Sequence, residues 1–343
     1  MRIDRRPFGY TKDGERVDIY TLWERDLSVE VLDYGGIVRS FTVQTVRGPR
    51  DLVLGFDTIE GYETSTSYHG AIVGRIANRV GGARFSLNGK NYDLEVCDGE
   101  NCLHSGSSGY SSRLWYAERE EDELILMLRD RDGEGGFPGN LETEVHYKLR
   151  SNRLIIEYTA KCDEDTPINL TNHCYFNLGG HDSGGIDKHK ISILGNYITT
   201  INDKLIPTGE LLDVTGTPFD LRNRTQIGIG LASNHPQILL GGGYDHNYVL
   251  SRETSRPLAL SAVLEYDGLM LQCLTTQPGI QLYSGNFLDG EAGKNGAVYN
   301  KRSGLCLETQ GWPDAVNHPE FPSSILRKGE VYSHITEYAI WET

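Results

Sequence analysis

The chain has 343 residues, 40 of them glycine, and a formal charge of −15 from 33 Lys plus Arg against 48 Asp plus Glu. That length can bury a large core without covalent staples. The acidic excess argues against nucleic acid and anionic membrane surfaces as main partners, since both are polyanions, and mildly against heavily phosphorylated substrates. The N-terminal stretch MRIDRRPFGY has no apolar core of the kind a secretory signal needs, and no run reaches membrane-spanning length. Six scattered cysteines, none in CxxC spacing, read as reduced thiols of a cytoplasmic protein.

Strand signals dominate in chain order. The segments 16–23, 28–35 and 37–46 are rich in β-branched and aromatic residues and end at turn formers. Within 84–94, Asn88-Gly89 separates two such runs, and both residues tolerate the positive φ of a tight hairpin. The strand 123–130 is followed by the glycine-rich DRDGEGGFPG (130–139), read as a long hairpin loop because the matched strand 142–149 follows it. In 154–162, Leu154, Ile156, Tyr158, Ala160 and Cys162 share one face. The segments 246–250, 257–266, 269–276 and 331–341 read the same way, while helical periodicity is nearly absent. The pattern predicts one large all-β domain over 1–343, built of packed antiparallel sheets.

The stretch GLCLETQGWPDA (304–315) carries the sharpest anomaly. Leu305 and Leu307 alternate with Cys306 and Glu308, so a carboxylate shares a face with a small buried thiol at the end of an apolar strand. Desolvating that charge is costly unless something there uses it. Other polar groups sit in apolar or glycine-rich settings. Arg75 and Arg79 lie in GRIANRV (74–80) with Asn78; from spacing alone, their ordinary reading is guanidiniums lying over the core with heads in water. His104 has Gly and Ser neighbours. His173 stands among Asn169, Asn172, Asn177, Tyr175 and Phe176, a mixture of amides and rings suited to a sugar or to a plain core strand. Asp245 follows a glycine run and would ordinarily bond its own backbone in a turn. Gln281 alternates with Ile280 and Leu282, so an inward amide there needs partners. No spacing matches a structural zinc pattern, and no metal or other cofactor is expected.

Together these stretches resemble the aldose 1-epimerase (galactose mutarotase) family. The similarity runs through LGFDTIEGYE (54–63), YHGAIVGRIANRV (68–80), NCLHSG (101–106), DGEGGFPGNL (132–141), TNHCYFNLGG (171–180), GGYDHNYVL (242–250), PGIQLYSGNFLDG (278–290) and GLCLETQGWPDAVNHP (304–319). Each motif is weak alone; eight in one order are specific. Departures are small: His69 stands where relatives often have an aromatic, and Ser105 where they often have glycine.

The resemblance implies a large antiparallel β-sandwich with a sugar cleft on one face. It implies interconversion of the α and β anomers of free hexoses such as galactose and glucose. Glu308 then falls on the catalytic base and His173 on the acid, with Asn78, Arg79, His104, Asp245 and Gln281 holding a monosaccharide. No cofactor, nucleic acid or membrane partner is implied, and the expected state is a monomer or weak dimer. The alternatives are a non-catalytic sugar-binding or sensing protein, a hexose-6-phosphate epimerase, and a glycosidase pairing Glu308 with Asp245.

Overall fold

The computed structural model describes residues 1–343. Its secondary structure is built from antiparallel strands in three main sheets, with three short helices at Ile59–Thr64, Ile227–Leu231 and Pro236–Gly241. The first sheet is a simple meander of five strands: Arg2–Tyr10, Arg16–Glu24, Leu27–Leu32, Val38–Thr45 and Gly48–Asp51. Its leading strand escapes sequence reading because RIDRRPFGY lies at an edge, half-exposed and charged. Charged edges of this kind resist pairing with other chains.

A nine-stranded sheet forms the centre. Leu124–Asp130, Leu141–Arg150, Arg153–Cys162, Val331–Glu342, Leu269–Thr275 and Ala259–Tyr266 are neighbours in that order. The first two of these pair in continuous register, so 130–139 is the hairpin loop that its flanking strands predict. At the smaller hairpin Arg84–Leu87/Lys90–Asp93, Asn88 and Gly89 take φ of 53° and 77°.

The third sheet has six strands, ordered Tyr175–Phe176, Leu305–Gln310, Gly279–Tyr283, Asp245–Val249, Tyr197–Ile201 and Pro207–Asp213. Phe176, Ile198, Tyr248, Ile280, Leu282, Leu305 and Leu307 leave one face of it and enter a core of 54 buried residues shared with the other two sheets. The Tyr338 hydroxyl donates to the Leu307 carbonyl at 2.9 Å, pinning this sheet to the central one. The other face is free to carry a site.

No helix of the structure is long and apolar enough to cross a membrane. All six cysteines are free, and five are buried.

Candidate active site

Strand register assembles one wall. Gln281 lies opposite both Glu308 and Asn247, and Tyr283 lies opposite both Cys306 and Asp245; Tyr175 faces Cys306 from the next strand. Directly opposed residues of antiparallel strands project to the same side, as do residues two apart. The leucines on Leu305–Gln310 therefore fill the core while Cys306 and Glu308 emerge on the cleft side.

Loops and short strands build the facing wall. Arg79–Val80 pairs with Cys102–Leu103, which delivers Arg79 beside His104. Asn78, His104 and Ser105 all adopt left-handed φ (66°, 53° and 68°). The Ser105 hydroxyl compensates for this by bonding the Ile76 N–H at 2.9 Å and its carbonyl at 3.2 Å, which ties the His104 loop to the Asn78 segment. His173 sits between Thr171–Asn172 and Tyr175–Phe176; its N–H donates to the Ala71 carbonyl, and its own carbonyl accepts from Gly70.

The two walls flank an open cleft of about 110 Å³ lined by Tyr68, Asn78, Arg79, His104, His173, Tyr175, Asp245, Tyr283, Phe287 and Glu308, among others. His173 Nε2 stands 3.7 Å from Glu308 Oε2. On the far side of the ring, the Cys306 thiol approaches Nδ1 at 3.5 Å. Gln281 Nε2 donates to Asp245 Oδ1 at 2.6 Å, and Arg79 Nη1 approaches Asp245 Oδ2 at 3.8 Å. Rings of Tyr68, Tyr175 and Tyr283 surround His173, with Phe287 exposed at the rim. Such faces stack on the C–H surface of a sugar while the polar groups meet its hydroxyls.

Burial sets the electrostatics. Glu308 is 2% exposed, and its Oε2 has no hydrogen-bond partner within the protein. Burial drives its pKa well above the usual carboxylate value; the charge of Asp245 adds to this and Arg79 opposes it. Burial likewise lowers the pKa of His173 to about 3 and takes His104 well below its ordinary value. Asp245 is raised by burial, against the pull of Arg79 and the Gln281 bond. Both shifts disfavour the charged forms, so a proton shared by the Glu308–His173 pair is favoured on the carboxyl.

His104, His173 and Glu308 bring one potential ligand atom each within 4.8 Å of one another. Two imidazoles and a carboxylate are the donor types of some catalytic zinc sites. The fit fails at His104. Its Nδ1 accepts the Asn78 backbone N–H at 3.1 Å, so the neutral ring carries its proton on Nε2. His104 therefore presents a donor to the cleft, not a lone pair for a cation.

Several expectations need correction. Arg75 and Arg79 are not surface guanidiniums: Arg75 is 1% exposed and Arg79 7%. Arg75 belongs to the core, bonded to Asp130 Oδ2 at 3.1 Å, the Pro138 carbonyl at 2.8 Å and Thr166 Oγ1 at 3.0 Å. Asp245 does not cap its own turn; it begins a strand and receives Gln281. The amides around His173 serve the fold. Asn169 bonds Gly311, Asn172 bonds Gly70 and Cys174, and Asn177 bonds Gly184 and Ser303. Phe176 turns into the core while Tyr175 lines the cleft, as strand alternation requires. His69 lies outside the cleft lining and pairs with Glu291 at 2.7 Å. Tyr68, Tyr283 and Phe287 also line the cleft, and none of the three stands out in the sequence as a site residue.

A family model described as Aldose 1-epimerase matches residues 18–339. Galactose mutarotase of Mus musculus is 41% identical over 339 residues, covering 98% of each chain. Aldose 1-epimerase of Escherichia coli K12 is 36% identical over 333 residues, covering 95% of this chain and 96% of its own. Among solved structures, the GalM/aldose epimerase homologue from C. elegans superposes with a TM-score of 0.86 at 30% identity, over 93% of this chain and 97% of that one.

Proposed function

The chain belongs to the aldose 1-epimerase family, and from that premise we propose that Glu308 and His173 are its proton-transfer pair. It is an isomerase that exchanges the α and β anomers of free aldoses. The observation that carries the assignment is the carboxylate facing an imidazole across 3.7 Å at the floor of a polar, ring-lined cleft.

The chemistry needs one proton removed from the C1 hydroxyl and one delivered to the ring oxygen. Glu308 takes the first and His173, as imidazolium, gives the second. The bond between C1 and the ring oxygen then breaks to an open-chain aldehyde. Rotation about C1–C2 presents the other carbonyl face, and closure runs the same transfers backwards. Before opening, the pair is carboxylate and imidazolium; afterwards it is carboxylic acid and neutral imidazole. Both forms hold one proton, so a turnover needs none from water. Each group contributes roughly 10²–10⁴-fold.

The Nε2–H of His104 donates to an oxygen near the reacting centre. Asp245 accepts from sugar hydroxyls, while Asn78, Arg79 and Gln281 fix orientation. A free monosaccharide such as galactose or glucose fits better than its 6-phosphate, because Arg79 is the only Lys or Arg lining the cleft and Asp245 stands beside it. The free cysteines and acidic charge support a cytoplasmic setting with no nucleic-acid or membrane partner.

The test is polarimetry of freshly dissolved α-galactose and α-glucose, with spontaneous mutarotation subtracted. His173→Asn is expected to lose about 10²–10⁴-fold in kcat, and a fully active variant would remove His173 from the mechanism. Unaccelerated relaxation with galactose still bound would instead mark a sugar-binding protein.

The pair also fixes the pH profile. With Glu308 raised and His173 lowered to about 3, the one-proton state persists between those two limits. The fraction in the reactive arrangement is then constant across that window. kcat/KM should be level above the lower limit and fall on the alkaline side, as the pair loses its proton near the raised Glu308 pKa. A rise in kcat/KM centred at the ordinary glutamate value of 4.5 would contradict this.

A further inference from the structure

Asp98 makes the shortest hydrogen bond that Arg79 has: Arg79 Nε donates to its Oδ2 at 2.7 Å. The Arg79 side chain is 9% exposed and that of Asp98 34%. A guanidinium offers five N–H donors in one plane. With Nε occupied by Asp98, and only a 3.8 Å approach from Nη1 to Asp245, the terminal nitrogens keep their donors for the cleft.

Asp98 is itself held firmly. It and Asn101 exchange backbone bonds across a tight hairpin, with Asp98 N–H to the Asn101 carbonyl at 3.1 Å and the reverse at 2.9 Å. Gly99 supplies the positive φ of 63° that this turn requires. Asn101 Oδ1 accepts from Gly82 N–H at 3.1 Å, and Leu103 pairs directly with Arg79. The carboxylate and the guanidinium it binds are thus mounted on one frame. The Asp98 side chain has Arg79 as its sole hydrogen-bond partner within the protein and takes no part in its own turn.

We propose that Asp98 is a positioning residue for substrate binding, setting the plane of the Arg79 guanidinium so that its terminal N–H groups meet the sugar hydroxyls. The proposal rests on Arg79 contacting the sugar. Without Asp98 the arginine regains rotamers that binding must then freeze out, so affinity falls while the proton-transfer pair is untouched.

Asp98→Ala and Asp98→Asn, each with Arg79 intact and with Arg79→Met, test it through KM and kcat for galactose. Asp98→Ala is expected to raise KM about tenfold, the scale of one charge-assisted hydrogen bond, with kcat within about threefold. Asp98→Asn keeps an acceptor for Nε and should recover most of that loss. In the Arg79→Met background Asp98→Ala should add nothing. An unchanged KM in Asp98→Ala, or an undiminished effect without Arg79, overturns the proposal. Galactose Kd from calorimetry on the same variants judges it even if the protein shows no epimerase activity. Thermal melting confirms that each variant is folded.

Discussion

Glu308→Gln is expected to lower kcat by at least about 10³-fold with little change in galactose affinity. The amide matches the carboxylate in shape, stays in the row beside Cys306 and cannot take a proton from the C1 hydroxyl. Stability should move the other way. Glu308 is raised in the folded state, so its favoured form is the protonated one, and that advantage is lost as pH rises through the folded pKa. The cost builds as pH rises from the ordinary value of 4.5, where the unfolded chain ionises, and is complete above the raised folded value. The amide has no charge to desolvate, so Glu308→Gln should melt at an equal or higher temperature than the parent, with a gap that widens across that window. Calorimetric melting beside polarimetry separates the two effects. A variant that melts early would leave the lost rate without its chemical cause, and one that turns over normally would end the assignment of Glu308 as base. A residue that costs stability where it serves chemistry is the usual trade at a catalytic site.

The largest loss of stability is expected at Asp130, far from the proton-transfer pair. Asp130 accepts from Arg75 Nε and from the Tyr110 hydroxyl at 2.9 Å, and it also bonds Arg113. Arg75 is buried over the Phe137 ring, its charge centre 5.4 Å from the centroid. Asp130→Ala strands that cation without its counter-charge, and breaking a buried pair from one side costs about 3–5 kcal/mol. Asp130→Asn keeps acceptor oxygen and should lose less. Urea unfolding measures both; an Asp130→Ala midpoint equal to the parent's would mean that the carbonyls of Pro138 and Gly139 suffice to hold Arg75. Activity of the folded fraction should change little, because Arg75, Tyr110, Arg113 and Asp130 do not line the cleft.

The sheet architecture was largely legible because alternation is a local property. The inward face of 154–162 follows from its own residues alone, and Asn88-Gly89 announces its turn. The strands at 197–201 and 207–213 were not read, since their polar content gives no clean period. The site divides differently. Glu308 stood out as an unexplained charge, yet nothing local told whether Arg75 or Arg79 was buried, because both share the same apolar flanks. Their fates diverge only in three dimensions, where Asp130 takes one and the cleft takes the other. The amides around His173 stayed open between the two readings for the same reason: an asparagine satisfying a backbone turn and one facing a ligand look alike in sequence. The ordered motifs supplied what local pattern lacked, since they constrain residues more than a hundred positions apart.

The register that sets Gln281 opposite Glu308 has a consequence for how this protein can change. Core and cleft are the two sides of a single ladder, and one inserted or deleted residue in Leu305–Gln310 would exchange leucines for the carboxylate and thiol. That wall can vary only by substitution. Length variation, the commonest route to a new pocket shape, is confined to the opposite wall, at the 66–68 segment, the Asp98–Asn101 turn and the loop bearing Phe287. Preference among aldoses should therefore be tuned on the loop side of the cleft, and libraries seeking altered sugar selectivity belong there.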